Sequence, residues 1–354
     1  MDFPPYIKNL YFFIIMKVLA IESSCDDTSI SVVNSAKKIE FLKTINHRKF
    51  HKDYGGVIPE MAARQHLDIM SILGKSIQKI NLEKIDAIAA THGPGLIGSL
   101  IIGSSFAKGL AMSANKPMMP INHLQSHLLS PRLTSNLNFP YLCLLVSGGN
   151  TALVLVKNAK TFMTLGKTID DSAGECFDKV AKAMGLGYPG GPIIEKLAIK
   201  GNANKYDLPL PLTKQANLNF SFSGLKTASI DLIKKNKLTE TFKKDFSASF
   251  QTTIEKIFLK KIATAIDYLN DNKIKIKDFS ICGGVAANKF LNSSIRNFIE
   301  DKNLIFHQVP LSLCTDNAAM IAWNALEILM SSNKKSKQYN VRPTPNILIH
   351  ENFL

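Results

Sequence analysis

The chain has 354 residues, 45% of them hydrophobic, so it can bury a large core and is long enough for two domains or two lobes. This composition excludes a disordered chain. Five cysteines stand far apart without a CxxC pair, which disfavours a disulfide framework or a zinc ribbon and favours a reducing cytosol. The net charge of +15 permits an RNA partner without requiring one, because only five of the 43 basic residues are arginines.

The first fifteen residues contain a short apolar run that resembles a targeting segment. The run covers residues 10–15, which is too short to span a bilayer, and Lys17 follows it. We therefore expect residues 1–15 to be a disordered or non-native extension, the folded chain to begin near Met16, and the protein to have no membrane partner.

The next elements alternate between strand and helix. Residues 17–33 predict a β-hairpin with an acidic turn: KVLAIES, then SCDDT, then SISVV. A helix is predicted over residues 59–80, a strand over 85–91 and a helix over 96–114. This order favours an α/β architecture.

The turn between that strand and helix matches GxGxxG, with the letters HGPGLIG at residues 92–98. A dinucleotide site also needs an acidic residue about twenty positions later, at the end of the next strand. That strand reads KPMMPIN and has no acid, so NAD binding is rejected. The turn could still offer backbone N–H groups to an anion.

His123 and His127, in the sequence NHLQSH, stand four residues apart and share one face if this stretch is helical. The pair lacks the glutamate of HExxH, which disfavours a zinc protease, and such pairs are common in cores and on surfaces. Asp316, in the sequence CTDN near the start of the last predicted helix, could add a carboxylate. Two histidines and a carboxylate suit Fe(II) first and Zn(II) second.

A second hairpin is predicted over residues 141–156: YLCLLV, then SGGNT, then ALVLV. Its likeness to the first hairpin suggests two related lobes that face each other. Helices are predicted over residues 172–184, 192–199, 222–235 and 242–269, a strand over 278–282, and a last helix up to about residue 330. The proline-bearing stretch 201–219 has no clear pattern, and a loop of this length is typically functional.

Two paired-glycine turns follow apolar strands, at SGGNT (147–151) and GGVAAN (283–288). Such turns let a backbone approach a phosphate or a base edge, although ordinary tight turns have the same sequence. Asp178 and Glu195 bracket a third glycine-rich turn, where carboxylates could accept hydrogen bonds from ribose hydroxyls. Solvated helix charges are the alternative interpretation of these two acids.

Ten stretches together resemble one family, the universal tRNA threonylcarbamoyladenosine transferases, known as TsaD in bacteria. They appear in the family's order: IESSCDDTS, YGGVIPEMAARQH, THGPGLIGSL, NHLQSH, LVSGGNT, GECFDKVAK, GYPGGP, SFSGLKT, CGGVAAN and CTDNAAMIA. The resemblance runs from residue 16 to about residue 323, and ten stretches in register are far more specific than any one of them.

The resemblance implies a two-lobed α/β nucleotide-binding fold of the actin, hexokinase and Hsp70 kind (ASKHA), with duplicated RNase H-like lobes. The first lobe would contain residues 16–122 with 318–345, and the second lobe residues 123–317. The nucleotide and metal site would lie in the cleft between them.

The resemblance also implies the reaction: a threonylcarbamoyl group passes from threonylcarbamoyl-AMP to N6 of the adenosine that follows the anticodon, in tRNAs that read codons starting with A. One divalent metal ion per subunit, usually iron and alternatively zinc, would be bound by His123, His127 and Asp316. The adenylate would be held by Leu145, Val146, Ser147, Gly148, Gly149, Asp178, Gly191, Glu195 and Asn288.

Two positions depart from the family's pattern. Glu195 stands where relatives often have an aspartate, so its reach is one methylene longer. The pair Asp26–Asp27 stands where the family commonly has aspartate followed by glutamate, and the resemblance suggests a catalytic role for Asp27 near the reacting carbonyl.

The resemblance implies partners as well as substrates. Besides tRNA and threonylcarbamoyl-AMP, bacterial members work with an inactive-looking protein of the same fold and a small P-loop ATPase, in the cytoplasm. Three alternatives remain open. They are a metallopeptidase, which the missing glutamate disfavours, a non-catalytic nucleotide-binding scaffold, and a small-molecule kinase suggested by fold alone.

Overall fold

The structure is a computed structural model, and it describes residues 15–51, 54, 56–213, 217–331 and 339–353. The predicted N-terminal extension, apart from Ile15, lies outside the described residues. In the part of the chain that is described, no helix is both long enough and apolar enough to cross a membrane.

The first sheet is built from the N-terminal third of the chain. Its five strands are β1 (Lys17–Glu22), β2 (Asp27–Asn34), β3 (Ile39–Asn46), β4 (Ala87–Gly93) and β5 (Met118–Asn122). Their order is β3-β2-β1-β4-β5, with β1, β2 and β3 antiparallel and β4 and β5 parallel to β1. The predicted first hairpin is confirmed as β1 and β2, while β3 was not predicted.

The second sheet repeats this arrangement. Its five strands are β6 (Tyr141–Val146), β7 (Thr151–Asn158), β8 (Thr161–Lys167), β9 (Asp278–Cys282) and β10 (Ile305–Gln308). Their order is β10-β9-β6-β7-β8, again with an antiparallel meander on one side and two parallel strands on the other. The duplicated lobe core expected from the sequence is therefore present, although β8 and β10 were not predicted.

Ten α-helices occur within the described residues. They are α1 (Arg48–His51), α2 (Pro59–Ile77), α3 (Ile97–Ser113), α4 (His123–Thr134), α5 (Ala173–Ala183), α6 (Gly190–Ala198), α7 (Ser223–Lys235), α8 (Glu240–Asp271), α9 (Lys289–Asp301) and α10 (Ala318–Ser331). Most of the predicted helices end within three residues of these bounds.

Both sheets are covered on both faces, which explains why their central strands are apolar throughout. In β1, Val18 and Ala20 face the space between the sheets, whereas Leu19 and Ile21 face the outside. Helices α2 and α3 cover the outer face of the first sheet, and α5 to α9 cover the outer face of the second. The order of layers is helix, sheet, helix, sheet, helix.

The central layer consists of α4 and α10, which lie between the two sheets. One core cluster joins both sheets through these helices and includes the buried ring of Trp323. The hydroxyl of Tyr141 in β6 donates to the carbonyl oxygen of Leu128 in α4 at 2.7 Å. The lobe boundaries at residues 122/123 and 317/318 stay a prediction, but both fall at an end of this central layer.

Candidate functional site

His123 and His127 lie on one face of α4, at the end that meets β5. Asn122 caps the helix, because its Oδ1 accepts hydrogen bonds from the backbone N–H groups of Leu124 and Gln125. The first residue of the helix is therefore His123, and His127 follows one turn later. Asp316 lies two residues before α10, so both helices of the central layer deliver site residues.

The structure brings these three side chains together. Nε2 of His127 lies 3.0 Å from Oδ1 of Asp316, and Nε2 of His123 lies 3.5 Å from the same oxygen. One donor atom from each residue falls within a group no wider than 4.8 Å. The two imidazole rings are perpendicular, with centroids 4.7 Å apart. No other group of three such side chains was found among the described residues.

This donor set fits a divalent metal ion. Two imidazoles and one carboxylate from distant parts of the chain converge on one point, and both rings present Nε2 towards it. The histidines are buried, whereas the Asp316 side chain is 22% exposed, so Asp316 is the solvent-facing member of the group. A set of this kind, with open positions, suits Fe(II) or Zn(II).

Glu22, at the end of β1, contacts Nδ1 of His123, on the side of the imidazole ring away from Asp316. Its Oε2 lies 3.2 Å from Nδ1 of His123 and also accepts a hydrogen bond from the hydroxyl of Thr91. Its Oε1 accepts from the backbone N–H of Ser24 at 2.6 Å. A carboxylate that accepts Nδ1–H fixes the tautomer and leaves Nε2 as the metal-binding nitrogen.

Sequence reasoning missed Glu22 as a site residue. The available signal was a single acid at the end of the apolar strand KVLAIE. A fully buried carboxylate is rare unless it is paired, and here the side chain is 0% exposed.

The two carboxylates favour positive charge at this point. Burial alone would lower the pKa of His123, but the negative charges of Glu22 and Asp316 outweigh it and raise that pKa to about 9. Burial, the largest single effect, would raise the pKa of Glu22, but the charge of His123 together with the hydrogen bonds from His123 and Ser24 outweighs it, so the pKa of Glu22 is lowered. The site therefore attracts a cation.

The acidic turn at residues 25–27 lies beside this group. Asp27 is 3% exposed, pairs with Asn46 across β2 and β3, and accepts a hydrogen bond from the Asn46 amide. Burial and the charges of Asp26 and Asp316 raise the pKa of the Cys25 thiol, so this cysteine stays protonated and is a poor nucleophile. The catalytic role suggested for Asp27 stays a prediction.

The predicted adenylate-binding stretch divides into two parts. Leu145 and Val146 end β6 with fully buried side chains, so only their backbone could meet a ligand. Ser147, Gly148 and Gly149 form the turn that follows, and neither glycine has a neighbour where a Cβ would stand. This turn is the accessible part of the stretch.

The N-terminus of α5 packs against the turn at residues 147–149. The hydroxyl of Ser172, the N-cap of α5, donates to the carbonyl oxygen of Gly148. Gly174 packs so closely that a Cβ there would lie 2.5 Å from the carbonyl oxygen of Ser147. The N–H groups of Ala173 and Glu175 already donate to Thr151 and Ser172, so the N-terminus of α5 favours an anion near the turn mainly through the helix dipole.

Asp178 and Gly191 meet where α5 approaches α6. Oδ1 of Asp178 accepts a hydrogen bond from the backbone N–H of Gly190 at 2.7 Å, at the start of α6. Gly190 is in close contact with Ala181 and Phe177, whereas Gly191 faces open space. The side chain of Asp178 therefore fixes the position of the Gly190–Gly191 pair.

Glu195 and Asn288 meet at the start of α9. Oε1 of Glu195 accepts from the backbone N–H of Lys289 at 2.7 Å, so its extra methylene reaches a helix N-terminus. Asn288 caps α9 through Oδ1 and donates from Nδ2 to Gln251 at 2.8 Å. The predicted adenylate-binding residues Asp178, Gly191, Glu195 and Asn288 thus lie at or bond to the starts of α6 and α9.

The turn at residues 283–288 packs against the end of β6, next to the turn at residues 147–149. Gly283 has a φ of 93°, and a Cβ there would collide with the carbonyl oxygen of Val146. Only glycine combines this backbone conformation with so close an approach.

The anion site suggested for the turn at residues 92–98 stays a prediction, and two of its N–H groups are not available for it. The backbone N–H of Gly95 donates to the carbonyl oxygen of Pro345 at 3.1 Å, and that of Leu96 donates to Ser24 at 2.8 Å. These two donors are already used within the protein, because the C-terminal segment and the β1 turn pack against them.

The long stretch 201–219 is anchored by a residue that sequence reasoning missed. Lys261 in α8 is 1% exposed, and its Nζ donates to the carbonyl oxygens of Leu212 at 2.8 Å and Asn217 at 2.7 Å. Burial lowers its pKa. A buried ammonium that bonds to loop carbonyls holds both sides of this loop against the second lobe.

Known proteins are similar to this chain in sequence over most of its length. A family model described as TsaD, tRNA N6-adenosine threonylcarbamoyltransferase, matches residues 39–323. Curated proteins with that description are 44% identical over 92% of this chain and 97% of theirs in Wolbachia sp. subsp. Brugia malayi, and 48% identical over 89% and 94% in Orientia tsutsugamushi. The corresponding protein of Pelagibacter ubique is 44% identical over 93% of this chain and 92% of its own.

Solved structures share the fold at low sequence identity. HypF from T. kodakarensis matches with a TM-score of 0.62 and 13% identity, over 89% of this chain and 48% of its own. Component A of (R)-2-hydroxyglutaryl-CoA dehydratase from Acidaminococcus fermentans matches with a TM-score of 0.51 and 15% identity, over 89% and 99%. These likenesses confirm the actin-like fold class and nothing finer.

Proposed function

Because the chain belongs to the TsaD family of tRNA N6-adenosine threonylcarbamoyltransferases, we propose that it acts on the adenosine that follows the anticodon in tRNAs reading A-starting codons. The donor is threonylcarbamoyl-AMP. The N6 amine attacks the carbamoyl carbon, the bond to the phosphate oxygen breaks, N6 loses a proton, and AMP leaves.

The observation that carries this proposal is the convergence of His123, His127 and Asp316 in a chain of this family. These residues would hold one divalent ion per subunit, with iron preferred over zinc. Such an ion, when bound, supplies Lewis acidity and a template for phosphate and carbonyl oxygens. Glu22 contributes by orienting the imidazole of His123.

The turns of the second lobe are proposed to bind the adenylate. The open backbone at Gly148 and Gly149 and the N-terminus of α5 suit negatively charged oxygens. Asp178, Gly191, Glu195 and Asn288 would complete the nucleotide site, with Glu195 acting mainly through its contact with α9. Leu145 and Val146 contribute backbone atoms only.

An exocyclic amine is a weak nucleophile, so positioning must supply most of the acceleration. Holding the amine and the activated carbonyl in line replaces a bimolecular encounter with an intramolecular one. Donors aimed at the oxygens where charge develops add to this effect. Asp27 is the acid proposed to lie near the reacting carbonyl.

We further propose a cytoplasmic complex with a protein of the same fold and a small P-loop ATPase. The net charge of +15 is compatible with tRNA as the macromolecular substrate. The metallopeptidase alternative is less well supported, because α4 carries Leu124 directly after His123, where a zinc protease of the HExxH type has its catalytic glutamate.

The test is reconstitution. The protein is incubated with the partner proteins, threonine, bicarbonate, ATP and unmodified tRNA, and the modified nucleoside is measured by mass spectrometry. We expect the wild type and His350→Ala, which changes an exposed imidazole, to form it and His127→Ala to lose it. Near-normal transfer by His127→Ala in a chelator would refute the metal-assisted mechanism.

A further inference from the structure

The segment that follows α10 lies against the helix of the metal site. Residues 339–353, here named the C-terminal strap, come after the part of the chain that the family model matches. The strap first joins the end of β4: the backbone N–H of Thr344 donates to the carbonyl oxygen of His92 at 2.7 Å, and that of Gly95 donates to Pro345 at 3.1 Å. It then turns towards α4.

Two buried amides of α4 and its cap bind the backbone of the strap. Nδ2 of Asn122 lies 2.9 Å from the carbonyl oxygen of Leu348 and 3.2 Å from that of Glu351. Nε2 of Gln125 lies 2.8 Å from the carbonyl oxygen of Ile349 and 3.0 Å from that of Glu351. Both side chains are only 2% exposed, so these bonds are shielded from water.

These amides flank the proposed metal ligands. Asn122 precedes His123 directly, and its Oδ1 caps the first turn of α4. Gln125 lies between His123 and His127 on the opposite side of the helix, where it also reaches Oδ1 of Asn352 at 2.9 Å. The strap therefore holds the first turn of α4 on the side away from the metal point.

The chemistry of the contact requires an amide at position 125. The acceptors on the strap are carbonyl oxygens and one amide oxygen, so the partner must donate. A glutamate has the same shape but only accepts, and it would place a charge against three oxygens in a buried space. The glutamine is thus explained by the strap and not by the metal.

We propose that Gln125 is a positioning residue, which binds the C-terminal strap to α4 and thereby holds His123 and His127 in the orientation that a metal ion needs. This inference rests on the proposed function, because it assumes that these histidines bind metal. The strap also reaches the second lobe, where Nδ2 of Asn352 donates to the carbonyl oxygen of Lys160 at 3.2 Å.

The experiment measures metal binding without turnover. Metal-free protein is titrated with Co(II), and the visible absorption of the bound ion gives Kd. We expect Gln125→Glu to weaken Kd at least tenfold and His350→Ala, an exposed strap residue, to leave it unchanged. The thermal unfolding midpoint of each metal-free protein is recorded as well, to separate positioning from general destabilisation.

A second variant covers the case in which Gln125→Glu does not fold. A chain that ends at residue 346 lacks the strap contacts to α4, and we expect its Kd for Co(II) to weaken at least tenfold. Addition of a synthetic peptide of residues 347–354 should restore the affinity, whereas a scrambled peptide should not.

The outcomes separate the two proposals. Failure of the wild type to bind Co(II) would contradict the metal site itself. A wild type that binds, with Gln125→Glu and the shortened chain binding within twofold of it, would overturn the role of the strap. A lower unfolding midpoint with unchanged Kd would also overturn it, because the contact would then be structural only.

Discussion

Glu22 and His123 are 101 residues apart in sequence, yet their Oε2 and Nδ1 atoms lie 3.2 Å apart in the buried centre of the protein. The contact joins the end of β1 to the start of α4, and the other side of the same imidazole faces Asp316. The first lobe therefore determines which nitrogen of His123 is presented to a metal ion.

Glu22→Gln should weaken metal binding without removing a ligand. The amide keeps the shape of the carboxylate but loses its charge and its preference for accepting Nδ1–H, and loss of such a partner typically costs about 10–100-fold in affinity. Co(II) titration of metal-free protein measures the effect. Glu60→Gln is the control, because Glu60 is exposed and bonds to Arg64 on the surface. Equal Kd values for both variants would contradict this role of Glu22.

Gly283→Ala should disrupt the proposed nucleotide site, while Gly284→Ala should not. Gly283 has a positive φ and touches the end of β6, whereas Gly284 has open space around it. We expect Gly283→Ala to lower the free energy of unfolding by about 2–4 kcal/mol and to weaken AMP binding, measured by calorimetry. Unchanged AMP affinity in Gly283→Ala would argue against a role of this turn in the site.

The stability of the protein should fall in mild acid because of His47. Burial, with smaller contributions from His66 and His51, lowers the pKa of His47 to about 4. The ordinary pKa of a histidine is 6.5, so as the pH falls the unfolded chain takes up this proton before the folded protein does. The free energy of unfolding that is present above pH 6.5 is therefore lost progressively as the pH falls towards 4.

The hydrogen-bond directions around Thr28 explain this preference for neutral rings. Nε2 of His66 must donate to the carbonyl oxygen of Cys25, so its Nδ1 accepts from the Thr28 hydroxyl, which in turn accepts from Nε2 of His47. His47→Gln can still donate to Thr28 but does not titrate. We expect its melting temperature to fall less than that of the wild type between pH 7 and 5 in thermal scans; parallel curves would contradict this assignment.

Lys261→Met should loosen the loop at residues 201–219. The substitution keeps the apolar stem but leaves the carbonyl oxygens of Leu212 and Asn217 without the ammonium donor. We expect a loss of about 1–3 kcal/mol in the free energy of unfolding and faster limited proteolysis within the loop. Lys260→Met, at the exposed neighbouring position, is the matched control. Similar proteolysis of both variants would show that the anchor is unimportant.

The sequence predicted the central strands and most of the helices because their patterns reflect burial. The hairpins β1–β2 and β6–β7 are apolar and β-branched, and β9 was predicted with its exact bounds. β3 was missed because it is an edge strand with Lys43 and Glu40 among mostly exposed residues. β10 has only four residues, which is too short for a periodic signal.

The metal group was predicted mainly from family resemblance, since helical spacing alone left the His123–His127 pair ambiguous. α4 has no apolar stripe, because nearly all of its residues are buried between the two sheets. The supporting residues could not be predicted locally. Glu22 and Gln125 find their partners 101 and more than 220 positions away, and only the fold brings these groups together.

The placement of α10 between the two sheets has a consequence for biosynthesis. A ribosome makes Asp316 189 positions after His127, and α10, the second helix of the central layer, follows it. Until then the inward faces of both sheets lack part of their cover. The proposed metal ligands can therefore come together only late in synthesis, and apolar surface that α10 covers in the folded protein stays exposed on the nascent chain until then.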